Sequence, residues 1–355
     1  MRAMQYVLLG LVASSAAAQA QNTSNVTVYG IVDTNLQFAN GGGKIGNQNS
    51  LQSGSLSQSR LGFMGNEDLG GGLKAVFSIE NGFNVDSGVA AQGGLLFGRH
   101  AYVGLASDAV GTLTLGRQYM PLHLLHVKFT THQVGFADAT ASFIPQIDDV
   151  RFDNSIRYVS PSYNGVTANV FYALGENVTV PSAAAPDKRY GDVFNVQLNL
   201  ERGQLLAALS YADKKKAPSI PGNHTKYAAG SVAYDFGAVK PYAIYETVRN
   251  DTATAATPDF NFWSLELEVP FGQGKWKASY GNLKNRTVAN ADAKSYGLLY
   301  EYLFSKRSSV YGGYSRVSNE GAAAYGVGSA NGVAVVADGV GASPHAVAIG
   351  VRTKF

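Results

Sequence analysis

Three of the six histidines, His123, His126 and His132, fall within one stretch of the chain. Imidazole ligates transition metals and changes charge near pH 6.5, so such a group is read first as a metal site or a pH sensor. The spacing argues for less. Zinc needs three or four converging ligands, whereas His123-x-x-His126 supplies two, with no cysteine and no carboxylate beside it in sequence. A packing role is expected for these histidines, with no metal and no cofactor. The chain has no cysteine at all, which removes disulfide frameworks, thiolate zinc sites, iron–sulfur clusters and cysteine nucleophiles together. Gly41-Gly42-Gly43-Lys44-Ile45-Gly46 satisfies the letter of a GxGxxG phosphate loop, but it lacks the strand before and the helix after that make the pattern bind a pyrophosphate. An external loop is expected there. Neither a GxSxG elbow nor an HExxH pair occurs, and an enzyme is not expected.

These residues sit in a polar but charge-poor chain. Charged residues make up 15% of it and the net charge is +3, against about 25% charged in ordinary soluble domains. No nucleic-acid partner is expected, because such proteins concentrate a basic excess on one face. The 20 Tyr, 17 Phe and 41 Gly suit strands joined by polar turns. Arg2 is the only charge before Asp33, Met4 to Ala13 is apolar, and small residues follow to Ala20. That pattern predicts a secretory signal over residues 1–20, cleaved after Ala20, and one exported unit over 21–355. The apolar run is shorter than the roughly 18 residues of a membrane-spanning helix.

Alternation decides what the exported unit is. Phe194, Val196, Leu198 and Leu200 alternate with Asn195, Gln197 and Asn199; Leu73, Ala75, Phe77 and Ile79 alternate with Lys74, Ser78 and Glu80. The last residues repeat the pattern, with Val347, Ile349 and Val351 opposed to Ala348, Gly350 and Arg352. A period of two is the signature of strands with unlike faces. Seven short connectors, from 67–71 to 305–308, and eight long polar ones, from 40–57 to 319–343, predict sixteen strands. Strands that show apolar side chains to lipid must pair every backbone group, so the sheet has to close into a barrel with a polar, water-filled interior. Aromatics near strand ends, among them Tyr29, Phe38, Phe63, Tyr102, Phe171, Tyr211, Tyr242, Phe260, Trp263, Trp276, Tyr314 and Phe355, are expected in interfacial girdles. Asp33, sharing parity with Tyr29 and Ile31, is expected to be lumenal and structural.

VTVYGIVDTNL (26–36), SRLGFMGNEDLGGGLKAVFSIENGF (59–83), LFGRHAYVGLASDAVGTLTLGRQY (96–119), NSIRYVSPSYNGVTANVFYA (154–173), YLFSKRSSVYGGYS (302–315) and the terminal AVAIGVRTKF resemble the trimeric general porins of Gram-negative outer membranes, those of beta-proteobacteria in particular. The resemblance covers the exported chain. It implies an all-β, transmembrane, antiparallel sixteen-stranded barrel whose third long loop folds inward. It also implies a homotrimer embedded in outer-membrane lipid and lipopolysaccharide, and a terminal Phe355 read by the barrel assembly machinery.

The function so implied is passive diffusion of ions and small hydrophilic solutes, where rings of charge at a constriction set selectivity. The resemblance places arginines opposite the inward loop, here Arg60, Arg99 and Arg157, with a mild anion preference. Arg60 and Arg157 alternate with apolar neighbours, Leu61 and Phe63 or Ile156 and Tyr158, and so face water. Arg99 shares parity with Ala101, Val103 and Leu105, which are read as packed behind the loop, with His100 and Tyr102 outward. Glu80 and Lys74 lie on the watery side of their strand, and Arg117 and Arg151 flank the loop. Asp138, Asp148 and Asp149 are the loop's acids, expected to face the arginines across the pore. A substrate-specific channel for a sugar, phosphate or carboxylate is the alternative, and a barrel-embedded hydrolase a second.

Overall fold

A computed structural model of the chain describes residues 25–175, 191–215 and 224–355. The expected signal at 1–20 lies outside the described residues, as do 176–190 and 216–223.

The described strands pair antiparallel with their sequence neighbours. Asn25–Asn40 pairs with His345–Lys354, from Ile31 opposite Lys354 to Asn40 opposite His345, and this closes the sheet. Asn47–Ser53 and Arg60–Gly70 both pair with the first strand, one at Thr34–Asn40 and the other at Asn25–Ile31. They are two halves of one wall strand, so the seventeen segments of the sheet make the sixteen strands that the turn count predicts. Residues 54–59 break that strand around a buried carboxylate. Ser57 N–H (2.9 Å) and the Tyr311 hydroxyl (2.7 Å) donate to Asp33, while the Asp33 N–H donates to Ser59 Oγ at 3.0 Å. Asp33 is therefore lumenal and structural.

The alternation sorts the two faces. Leu198, Leu209, Leu265 and Ile349 are about half exposed on the outside, while Asn195, Gln197, Glu246 and Ser264 are buried on the inside. Phe38, Tyr211, Trp276, Tyr314 and Phe355 are exposed as a girdle requires. Five other aromatics expected there point inward, Tyr102 among them. Tyr29 donates a hydrogen bond to Glu80 at 2.8 Å, and Phe171, Tyr242 and Phe260 are buried among inward residues.

The inside is not uniformly polar either. Between Val166 and Asn319 the inward positions include Phe171, Tyr227, Ile244, Phe262, Leu283, Leu299 and Val317, all in one buried cluster with Leu122, Leu125, Phe129, Phe136, Phe143 and Ile147. Those last six belong to the segment between the strands Gly111–Tyr119 and Arg151–Val159. An apolar, helix-bearing loop in a water-filled barrel has to bury its face, and the inner wall carries the matching patch. Polar ties fix it there. Leu122 N–H donates to Asn195, Thr131 N–H to Glu266, and Ser279 Oγ–H to the Ala137 carbonyl at 2.8, 2.8 and 2.6 Å.

Candidate functional site

The loop lies on one side of the bore and leaves space between itself and the opposite wall. A cavity of about 290 Å³ there is lined by Arg60, Arg99, Arg151, Gln58 and Tyr119 on the wall side and by Leu124, Val127 and Val134 on the loop side. Arg60 precedes an outward Leu61 and donates from Nε to the Gln58 carbonyl at 3.0 Å. Arg99 is 4% exposed and ion-paired with Glu80. It also donates to Gln58 Oε1 and to the Tyr119 hydroxyl. Arg151 donates to the same hydroxyl, its guanidinium 4.2 Å from the Tyr119 ring centroid. One phenol thus holds two like-charged guanidiniums side by side.

Arg99 reaches this place by a route that parity does not show. Val103 and Leu105 are exposed on the outside, so His100 and Tyr102 point inward, opposite to the sequence expectation. Tyr102 faces Arg157, and the His100 ring packs edge-on against Tyr119 at 4.8 Å. Arg99 precedes the regular ladder, which starts at His100 opposite Glu80, and so escapes its alternation. Arg157 is inward as expected and donates to Asn169 at 3.0 Å. It stands two residues from the short-turn end of its strand and is not brought to the neck. Lys74 is exposed beside the turn at 71–72, also away from it. Arg117 is turned to Asp153 and the Gly98 carbonyl.

The loop's acids do not face the arginines. Asp138 turns back on its own loop, accepting from the Thr131 hydroxyl and the His132 and Gly135 N–H groups and pairing with the His132 ring at 2.8 Å. Asp148 sits between His123 and His126. Asp149 accepts from Lys214 and Tyr227 at 2.8 and 2.9 Å. A desolvated carboxylate needs donors, and in each case the nearest lie in the loop or the wall behind it, not across water. The acid that does meet the arginines is Glu80.

Nor do the histidines form a pH sensor near neutrality. Burial holds His123 below the usual imidazole range despite Asp148, with Arg151 and His126 also opposing its charge. Burial likewise lowers His132, beside Lys277, Asp138 and Glu301. For His126 burial is outweighed by Glu246 and Asp148, which push it up to about 10. None of the three changes charge between pH 6.5 and pH 8. These three histidines are therefore expected to add nothing to any difference in reversal potential between the two; a shift toward anion preference at the lower pH that His123→Gln abolished would contradict this.

Sequence reasoning missed the inner-wall partners of the loop, Glu246 and Glu266, because their contacts span more than 100 residues. It also missed a hairpin, Val327–Ser329 with Gly332–Val335, that folds over the outer side of the neck through Gly328 N–H to Ser142 Oγ (3.1 Å) and Asn331 to the Ser53 carbonyl. Its alternating Val333 and Val335 were the available signal.

The family model described as Gram-negative porin matches residues 7–322. Outer membrane porin protein 32 of Delftia acidovorans is 29% identical over 98% of this chain and 99% of its own length. An outer membrane porin protein of Bordetella pertussis is 32% identical over 63% of this chain and 64% of its own. Among solved structures, the anion-selective porin from Comamonas acidovorans superposes with a TM-score of 0.78 at 27% identity, covering 94% of this chain and 100% of that one. A barrel closed between first and last strands with an apolar exterior agrees with these matches: the chain belongs to the Gram-negative porin family and is a channel of the outer membrane, not an enzyme.

Proposed function

We propose that this porin passes small solutes with a preference for anions, set at the neck by Arg60, Arg99 and Arg151. One observation carries the reading: among the described residues, the lining holds three guanidiniums and no carboxylate. Glu80, behind Arg99, offsets one of the three charges. Arg157 adds a second positive station nearer the short-turn mouth. The anion selectivity named for the Comamonas structure supports the same sign. The test is the reversal potential of the purified protein in a planar bilayer under a potassium chloride gradient. A potential on the chloride side is expected; zero, or one on the potassium side, would refute it.

The chain is further proposed to act as a homotrimer in lipopolysaccharide-bearing membrane, as the family resemblance implies, with Phe355 as the mark read by the barrel assembly machinery. Phe355 pairs through N–H and carbonyl with Gly30, both at 3.1 Å, and its side chain is exposed. Its backbone thus zips the barrel while its ring stays available. Phe355→Ala keeps the zip and removes the ring. Several-fold less protein is expected in the outer membrane, with normal conductance from protein refolded in detergent. Equal membrane yield would leave Phe355 an ordinary interfacial aromatic.

A further inference from the structure

The densest chemistry that pore function leaves unused lies behind the neck, where the helix Pro121–Lys128 meets the wall. His123 and His126, three residues apart, share one helix face. Asp148, at the end of the short helix Ile144–Ile147, reaches both: its Oδ2 is 2.6 Å from His123 Nδ1 and 3.1 Å from His126 Nδ1. The carboxylate that the local sequence lacks is supplied by the far end of the same loop. On the other side, His126 Nε2 lies 2.7 Å from Glu246 Oε2 on the wall strand Lys240–Asn250.

We propose that His123, His126 and Asp148 bind a divalent first-row transition cation of the zinc class, with Glu246 as the positioning residue behind His126. Their ligand atoms all lie within 4.8 Å of one another. Metal–ligand bonds of about 2.0–2.2 Å in a tetrahedron put neighbouring ligand atoms about 3.3 Å apart, so the present separations need changes of no more than about 1.5 Å. Two imidazoles and one carboxylate select this class over magnesium or calcium, which prefer oxygen alone. The second oxygen of Asp148 is buried with no hydrogen-bond partner, as is Glu246 Oε1. Unpaired buried oxygens are costly, and a dication beside them would offset the excess negative charge. Glu246 on the far nitrogen fixes the His126 ring, and a cation binding at Nδ1 would displace the proton held there to solvent, so that the near nitrogen faces the metal. His123 borders the neck cavity, which gives a cation its path in. Once bound, the cation would tie both ends of the constriction loop together in front of the wall.

The test is a titration of the purified, full-length protein in detergent with Co²⁺, read by its ligand-field absorption. One Co²⁺ per chain is expected, displaced by Zn²⁺ and not by excess Mg²⁺. His123→Gln and Asp148→Asn are each expected to weaken binding at least about tenfold, and Glu246→Gln about tenfold through the ring it holds. His224→Gln removes a separate histidine–carboxylate pair, His224 with Asp213, and is expected to leave binding unchanged. Each variant is first shown to keep the parent's heat-resistant barrel in detergent, so that lost binding does not mean lost fold; His123→Gln, at the edge of the neck cavity, decides the matter if Asp148→Asn and Glu246→Gln do not assemble. Absence of saturable Co²⁺ binding, or binding indifferent to His123→Gln, would overturn the proposal. Conductance measured without metal leaves the channel reading to stand or fall separately.

Discussion

Replacing Arg60, Arg99 and Arg151 together with serine is expected to invert the ion preference of the channel. With all three present, the neck carries three positive charges against one Glu80 carboxylate; without them Glu80 is left alone, and the sign of the local charge changes. The size of the effect follows from Coulomb's law. A unit charge about 8 Å from an ion in water contributes about 0.5 kcal/mol, so removing three costs an anion about 1.5 kcal/mol and relieves a cation of about as much, roughly a hundredfold in the ratio of anion to cation permeability before salt screens it. The effect should shrink as salt rises, since the screening length falls from about 10 Å at 0.1 M to about 3 Å at 1 M. Arg157→Ser, on the same inner face but away from the neck, should shift the reversal potential far less than the triple variant. Both are measured in one planar-bilayer experiment. A triple variant with the parent's potential would remove the arginines from the mechanism, and an equal shift from Arg157→Ser alone would move the selective station toward the short-turn mouth.

What the sequence made legible was whatever is set by neighbours along the chain. Alternation over Val193–Arg202 placed Asn195 and Gln197 inside and Leu198 outside, and the same rule oriented Arg60 and Arg157. Turn chemistry gave the strand count, because short connectors need the residues that tight turns demand. The rule failed where the ladder is interrupted. Arg99 lies just before its strand begins, and counting parity back through it turned His100 and Tyr102 the wrong way. It was silent where partners are distant: nothing near residue 148 announces that Asp148 will meet His123 and His126, or that Glu246 and Glu266 will hold the loop from strands more than 100 residues away. The loop's own backbone was equally hidden. Gln133, Val134 and Ala137 adopt positive φ of 57°, 64° and 69°, a conformation that branched Val134 takes only under constraint. Its N–H bond to Thr130 Oγ1 and the hydrogen bonds to Asp138 supply that constraint.

Gly297→Val should displace the constriction loop while leaving the barrel closed. Gly297 sits on the inner face opposite Ser279, and a Cβ placed on it would lie 1.8 Å from the Ala137 carbonyl oxygen. That contact is with backbone, which cannot rotate away as a flexible side chain would. Relieving it means moving Ala137 off the wall, which breaks the 2.6 Å hydrogen bond from Ser279 Oγ and disturbs the turn that Asp138 holds together. Overpacking of this kind costs about 1–3 kcal/mol, and little of it falls on the strand, whose pairing with both neighbours continues past this residue. The loop bears the cost. The expected result is protein that still assembles, with larger and noisier single-channel conductance and a higher size limit for sugars entering liposomes. Gly297→Ser, whose smaller side chain makes the same Cβ contact, should move both readouts the same way. Ladder-driven closure predicts that heat resistance of the barrel in detergent stays close to the parent's. If conductance and sugar cut-off were both unchanged in assembled Gly297→Val, the loop would not be what narrows the bore.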